Sequence, residues 1–308
     1  MSPSRLTELA PPHALLRPRI ALPFLTISLI WGSTWFVITG QIDGVPPAWS
    51  VAWRFVLATV GMFALAIVNR DRLAMPASAH GIALAIGLCQ FCGNYNLVYP
   101  AELHLTSGIV AVMLGLMIVP NAVFGRLLLD QPITPRFALG SAVAIGGISL
   151  LLVNEARETP LGGDVGLGIW LAMGAMIAAS ISNVMQAGKA GRQVPLMTLI
   201  AWSMLYGTVI DIAVASALSG PPVFPADRQY WLGTAYLAFA GSVVTFPLYY
   251  RLVREIGAGR AAYHTVLVLI IAMLLSTLLE GYRWSALAVA GSVLALLGLV
   301  IALRAKSV

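Results

Sequence analysis

The sequence predicts an all-α integral membrane protein, with ten transmembrane helices arranged as two inverted five-helix repeats. Three observations carry this prediction. Of the 308 residues, 59% are hydrophobic and only 10% charged, with a mean hydropathy of +0.88, where a soluble domain carries roughly 25% charge. The apolar residues come in runs of about twenty, enough to cross ~30 Å of hydrocarbon. The second half also repeats the first about 150 residues later: Val45-Pro46 with Ala52-Trp53 returns as Val194-Pro195 with Ala201-Trp202, Asp130 as Glu280, and Gly147 as Gly298. Each copy holds five spans, an odd number, so the second must lie upside down relative to the first. Inverted repeats are the architecture of alternating-access transporters.

In chain order the spans fall at 20–40, 47–68, 79–99, 104–125, 135–153, 165–187, 196–218, 231–250, 260–279 and 285–303. Residues 1–18 are proline-rich without apolar periodicity and read as a flexible tail. The first run follows Arg17 and Arg19 but is too long for a signal peptide's apolar core. It contains Trp31 and Trp35 and ends without a small-x-small site, so it reads as a retained helix. Gly44-Val45-Pro46-Pro47 breaks the chain before the second span, and Pro132 and Pro135 break it before the fifth. Residues 154–164, with Gly162-Gly163, read as a linker. The first repeat is then 19–153, the second 165–303, and 304–308 a short tail.

The net charge of +6 is a topology signal. With the N-terminus cytoplasmic, Lys and Arg crowd the cytoplasmic connections. The opposite side holds only Arg157, Arg228 and Arg283, and Arg54 lies within a span. This is the positive-inside pattern, with both termini cytoplasmic, and it argues against nucleic-acid binding. Cys89 and Cys92 form a Cys-x-x-Cys without a redox fold or further metal ligands, and read as small apolar helix residues. No Walker sequence, His-Glu-x-x-His or Gly-x-Ser-x-Gly is present, so no catalytic residue, metal or cofactor is expected.

Trp31-Gly32-Ser33-Thr34, followed by Gly44-Val45-Pro46-Pro47 and Arg54-Phe55, resembles the opening of an EamA-type repeat of the drug/metabolite transporter superfamily. Thr106-Ser107-Gly108 leading to Pro120, Asp130 and Gly140 is similar to its fourth and fifth helices, and Glu280 with the run from Trp284 to Leu303 repeats that ending. The chain departs from the pattern at Asp130, where the family usually has Glu, and at Ile270, where it often has proline. The resemblance implies ten helices around a central cavity and an amphiphilic metabolite moved by alternating access.

Polar residues inside spans are the pointers to a path, because each is costly in lipid unless it faces protein or water. Arg54 either anchors a substrate carboxylate or is structural, snorkelling outward or bound to backbone carbonyls. Asp211 is either a proton carrier or an acid that is paired or exposed near the outer end of its span. Gln90 and Asn94 share one face of the third span, with Tyr95 and Tyr99 beside them. Ser180 and Asn183 line a strip of the sixth span, with Ser182 and Gln186 on another. Ser242, Thr245 and Tyr249 line the eighth. His264, beside Tyr263 and Thr265, lies near the inner end of the ninth, and His104 at the outer end of the fourth. Such residues also glue helices together. The candidate substrate-binding set is Trp31, Arg54, Gln90, Asn94, Tyr95, Tyr99, Asn183, Ser242, Thr245, Tyr249 and His264. Gly140, Ala144 and Gly147 against Ala288, Ser292 and Ala295 read as close helix packing or a protomer contact.

The expected function is export of small amino acids and related amphiphilic metabolites, aromatic ones included, across a bacterial inner membrane with broad specificity. A proton-coupled drug or cation exporter and a channel-like facilitator are the alternatives. The oligomeric state is left open, a monomer included.

Overall fold

The computed structural model describes residues 18–130, 132–158, 164–256 and 264–304. The tail through Arg17, most of the linker, Tyr263 with the start of the ninth span, and Lys306 lie outside the described residues. Each membrane helix starts or stops where the local chemistry demands. α1 (Pro18–Thr39) is followed by α2 (Pro47–Val68), which opens on proline, a residue suited to the first helical turn because its missing N–H has no partner there. α3 (Ala77–Ala101) and α4 (Ser107–Leu129) follow, then α5 (Pro135–Glu158). α5 continues four residues past the predicted start of the linker. α6 (Val165–Ala187) is N-capped by Asp164, whose carboxylate accepts from Leu167 N. A one-turn helix, Lys189–Arg192, leads to α7 (Leu196–Ser219). α8 (Arg228–Leu252) is capped by Asp227, and α9 (His264–Leu279) and α10 (Ala286–Arg304) complete the chain. Among the described residues, eight helices are long and apolar enough to span a membrane, and α9 and α10 carry shorter apolar stretches. Leu22, Val60, Leu139, Trp170 and Leu278 are exposed around the outside, where only lipid makes that favourable.

The repeats are related by a pseudo-two-fold axis, and hydrogen bonds trace it. Trp53 of α2 donates its indole N–H to Val223 O, and its counterpart Trp202 of α7 donates to Leu73 O, both at 2.9 Å. Thr59 of α2 and its counterpart Thr208 of α7 bond each other at 2.9 Å, so they lie on the axis. Positive φ recurs at matched places, at Arg70 and Gly220 after α2 and α7, and at Asp130 and Gly281 after α4 and α9.

The third helix of each repeat also widens into a π-helical stretch at matched positions, Gly87–Asn94 in α3 and Tyr236–Val244 in α8. Such stretches are rare and concentrate at functional sites. In α3 the widening lets Gly87 and Gly207 bring α3 and α7 together, since a Cβ on Gly87 would stand 3.0 Å from Gly207 N. α5 and α10 cross antiparallel through their own small residues. A methyl on Gly147 would stand 2.6 Å from Gly291 O, and one on Gly298 2.6 Å from Gly140 O. The small-residue stripe is therefore packing within one chain, where Gly291, Gly298 and Ala302 join the predicted Ala295 against α5.

Candidate functional site

Between the repeats lies a cavity of about 200 Å³, walled by α1, α2, α3, α4, α6, α8 and α9, with Leu299 from α10. Eight of the predicted site residues line it: Trp31, Arg54, Gln90, Asn94, Tyr95, Asn183, Tyr249 and His264. At one end its walls, Ile38, Val98, Ala111 and Leu114, are buried. At the other, where α1 begins and α8 ends, Asn121, Asn183, Tyr249, Tyr250 and Thr265 are partly exposed. The cavity is sealed at the α3–α4 end and accessible at the other.

Arg54 is 2% exposed and neither snorkels nor bonds backbone carbonyls. Its Nη1 donates to Tyr99 Oη at 3.3 Å, and its Nη2 to Tyr95 Oη at 3.5 Å and Ser242 Oγ at 3.3 Å. The guanidinium stacks 4.4 Å from the Tyr95 ring centre, a cation–π contact. Gly241 lets α8 approach α1 closely, since a Cβ there would stand 3.0 Å from the Thr34 methyl. The Nε has no hydrogen-bond partner, and no described carboxylate forms a salt bridge with the group. The group is a buried cation with neutral hydrogen-bond partners, and its side chain lines the cavity.

The remaining wall is neutral and aromatic. Trp31 packs on Phe246, Tyr249 and His264 with ring centres 5.2–5.7 Å apart, and donates its indole N–H to Gly241 O at 3.2 Å. Asn94 donates to Ala175 O at 2.9 Å, tying α3 to α6, and Asn183 donates to Asn121 Oδ1 at 3.4 Å. Gln90, also in the wall, bonds none of the described residues.

Tyr99, Ser242 and Thr245 are not in the cavity wall. Tyr99 and Ser242 stand behind Arg54 and orient it, while Thr245 gives its hydroxyl to Gly241 O within its own helix at 2.8 Å. Asp211 is fully buried, which corrects the water-exposed reading. It accepts from Asn96 Nδ2 at 2.7 Å between α3 and α7, outside the cavity. Asn121 and Tyr250 line the cavity and were absent from the predicted set. Asn121, next to Pro120 in an apolar run, carried the same signal of a costly polar residue within a span; Tyr250 carried no separate one.

The EamA-like transporter family matches residues 19–153 and again 166–304. The chain belongs to the EamA-like transporter family. This transporter is 25% identical over 270 residues to protein PagO of Salmonella typhimurium, covering 86% of each chain. It is 26% identical over 268 residues to the uncharacterized inner membrane transporter YedA of Escherichia coli K12, covering 85% of this chain and 84% of that one. A probable amino-acid metabolite efflux pump of E. coli K12 is 23% identical over 284 residues, 90% of this chain and 92% of its own. A crystal structure superposes with a TM-score of 0.66 at 18% identity, over 94% of this chain and 100% of that one, which shows the shared fold. The protein is thus a multi-pass membrane transporter of small molecules and no enzyme.

Proposed function

We propose that this transporter exports small amino acids and related amphiphilic metabolites, aromatic ones included, by alternating access across a bacterial inner membrane. Arg54 carries the reading: a buried guanidinium without a bonded carboxylate, in the cavity wall, matches a substrate carboxylate. In this reading Gln90, Asn94 and Asn183 supply neutral oxygens for the amino group. Trp31, Phe246 and Tyr249 offer apolar faces to varied side chains, and an aromatic face also attracts an ammonium. A greasy wall separates substrates that differ by one methylene by only about 1–3 kcal/mol, so specificity is broad. The relative described as an amino-acid metabolite efflux pump and the inner membrane relative YedA support the same substrate class and membrane.

The test is uptake of labelled phenylalanine, threonine and phenethylamine into proteoliposomes. Removing a hydrogen bond to a charged group costs about 1.5–3 kcal/mol, so Arg54→Gln should weaken apparent affinity for both amino acids by roughly tenfold or more. Phenethylamine, which lacks the carboxylate, should be moved as well as by the wild type. Equal loss for all three, or for none, would remove Arg54 from substrate recognition.

A further inference from the structure

At the sealed end of the cavity the seam between the two repeats is polar. Ser107, the first residue of α4, donates its hydroxyl to Glu280 Oε2 at the end of α9, 2.6 Å away. Glu102 lies in the connection between α3 and α4, five residues before Ser107. It is 5% exposed, and neither of its carboxyl oxygens has a hydrogen-bond partner. Ser276, one turn before Glu280, is fully buried with its hydroxyl unpartnered. That hydroxyl would stand 3.2 Å from a Cβ on Gly108, so it faces the start of α4. An ionised Glu102 in such a place would lose water without gaining donors to replace it, and would be repelled by the partly exposed Glu280 carboxylate.

We infer that Glu102 and Glu280 form a proton-binding site that holds the sealed end shut. A proton held on Glu102, beside the Glu280 carboxylate, lets the α3–α4 connection and α9 pack together. Its loss leaves two negative charges across the seam and drives the repeats apart there.

The other titratable groups facing Glu102 are Arg54 from α2 and Tyr99 from α3. Arg54 gives its hydrogen bonds to Tyr95, Tyr99 and Ser242, so it reaches Glu102 only through space. His104 is turned to the neighbouring backbone, accepting from Asp164 N at 3.1 Å. Burial first, and then the charge on Glu280, push the Glu102 carboxyl well above the ordinary carboxylate range, against the pull of Arg54. A carboxyl that holds its proton more tightly in the sealed state stabilises that state at low pH, and the contribution is lost as pH rises through the raised value. Asp130, the counterpart of Glu280 at the opposite end, is exposed, as the accessible end requires.

The inference rests on two-sided access and not on the substrate proposed above, so its test reads the seam itself. Spin labels at Leu103→Cys on the α3–α4 connection and Leu278→Cys on α9, both exposed, would be placed in a Cys89→Ala, Cys92→Ser background in lipid nanodiscs. Double electron–electron resonance should give one short distance at mildly acidic pH and a second, longer population at mildly alkaline pH. Glu102→Gln and, separately, Glu280→Gln should each keep the short distance at both. A wild-type distribution indifferent to pH, a shift that follows sodium instead, or a pH shift persisting in both glutamine variants would overturn the proton site. If the seam fails to titrate while Arg54-dependent flux persists, only the proton site is lost. If the seam titrates without amino acid flux, only the substrate reading is.

Discussion

The Gly241 carbonyl accepts both the Thr245 hydroxyl and the Trp31 indole N–H. It sits in the π-helical stretch of α8, where the i to i+4 ladder is interrupted and carbonyls are left to side chains. Thr245 therefore serves the shape of α8, and through it the place where Trp31 meets Phe246. Asn94 differs, since it is in the cavity wall while its amide holds α6. Thr245→Ala should leave apparent affinity for phenylalanine and threonine unchanged in liposome uptake. It should lower thermal stability by about 0.5–1.5 kcal/mol, the net worth of one hydrogen bond. A tenfold fall in affinity with unaltered melting would put the hydroxyl on the substrate instead. Alternation along the sequence placed Ser242, Thr245 and Tyr249 on one α-helical face. The wider turn changes which of them meet the cavity, and only Tyr249 does.

α5 and α10 lie at the edge of the bundle and meet backbone to backbone. Gly147 of α5 has no room for a methyl, because the obstacles are the Gly291 carbonyl and the Ala295 amide, which cannot swing aside. Its neighbour Gly146 has nothing within 4 Å of a Cβ. The pair separates glycine needed for contact from glycine merely present. Gly147→Ala should destabilise the detergent-solubilised protein by about 1–3 kcal/mol, the usual cost of overpacking, read as an earlier loss of the monodisperse peak on heating. Gly146→Ala should be neutral or gain up to ~1 kcal/mol from helix propensity. Equal behaviour of the two would mean that this crossing does not hold the helices together.

For the molecule as a whole, the placement of Lys and Arg argues for cytoplasmic termini. Glu158→Cys, at the end of α5, should react with an impermeant thiol reagent from outside intact cells, and Ala190→Cys, in the turn before α7, should not. The reverse pattern would invert the assignment and make the accessible end of the cavity the external one. With cytoplasmic termini that accessible end faces the cytoplasm, as an exporter loading its substrate requires.

Ten helices, their order and the inverted pairing were legible in the sequence. Hydrocarbon thickness sets a length of about twenty apolar residues, and an odd number of spans per repeat admits only an inverted copy. Predicted and observed boundaries coincide for α2 and α6, where proline or a capping Asp marks the start. Arg54, Gln90 and Asn94 were legible for a similar reason, since polar groups within a span must face something other than lipid. Which face they turn to was not legible. α3 and α8 each carry a π-helical stretch that an α-helical reading does not foresee, and Ser242 and Thr245 lie outside the wall. Glu102 lies in a short connection where nothing in the local sequence says that it will be buried. The seam with Glu280, some 180 residues away, exists only once the two repeats have docked, and docking is a property of complementary surfaces that no single stretch of chain contains.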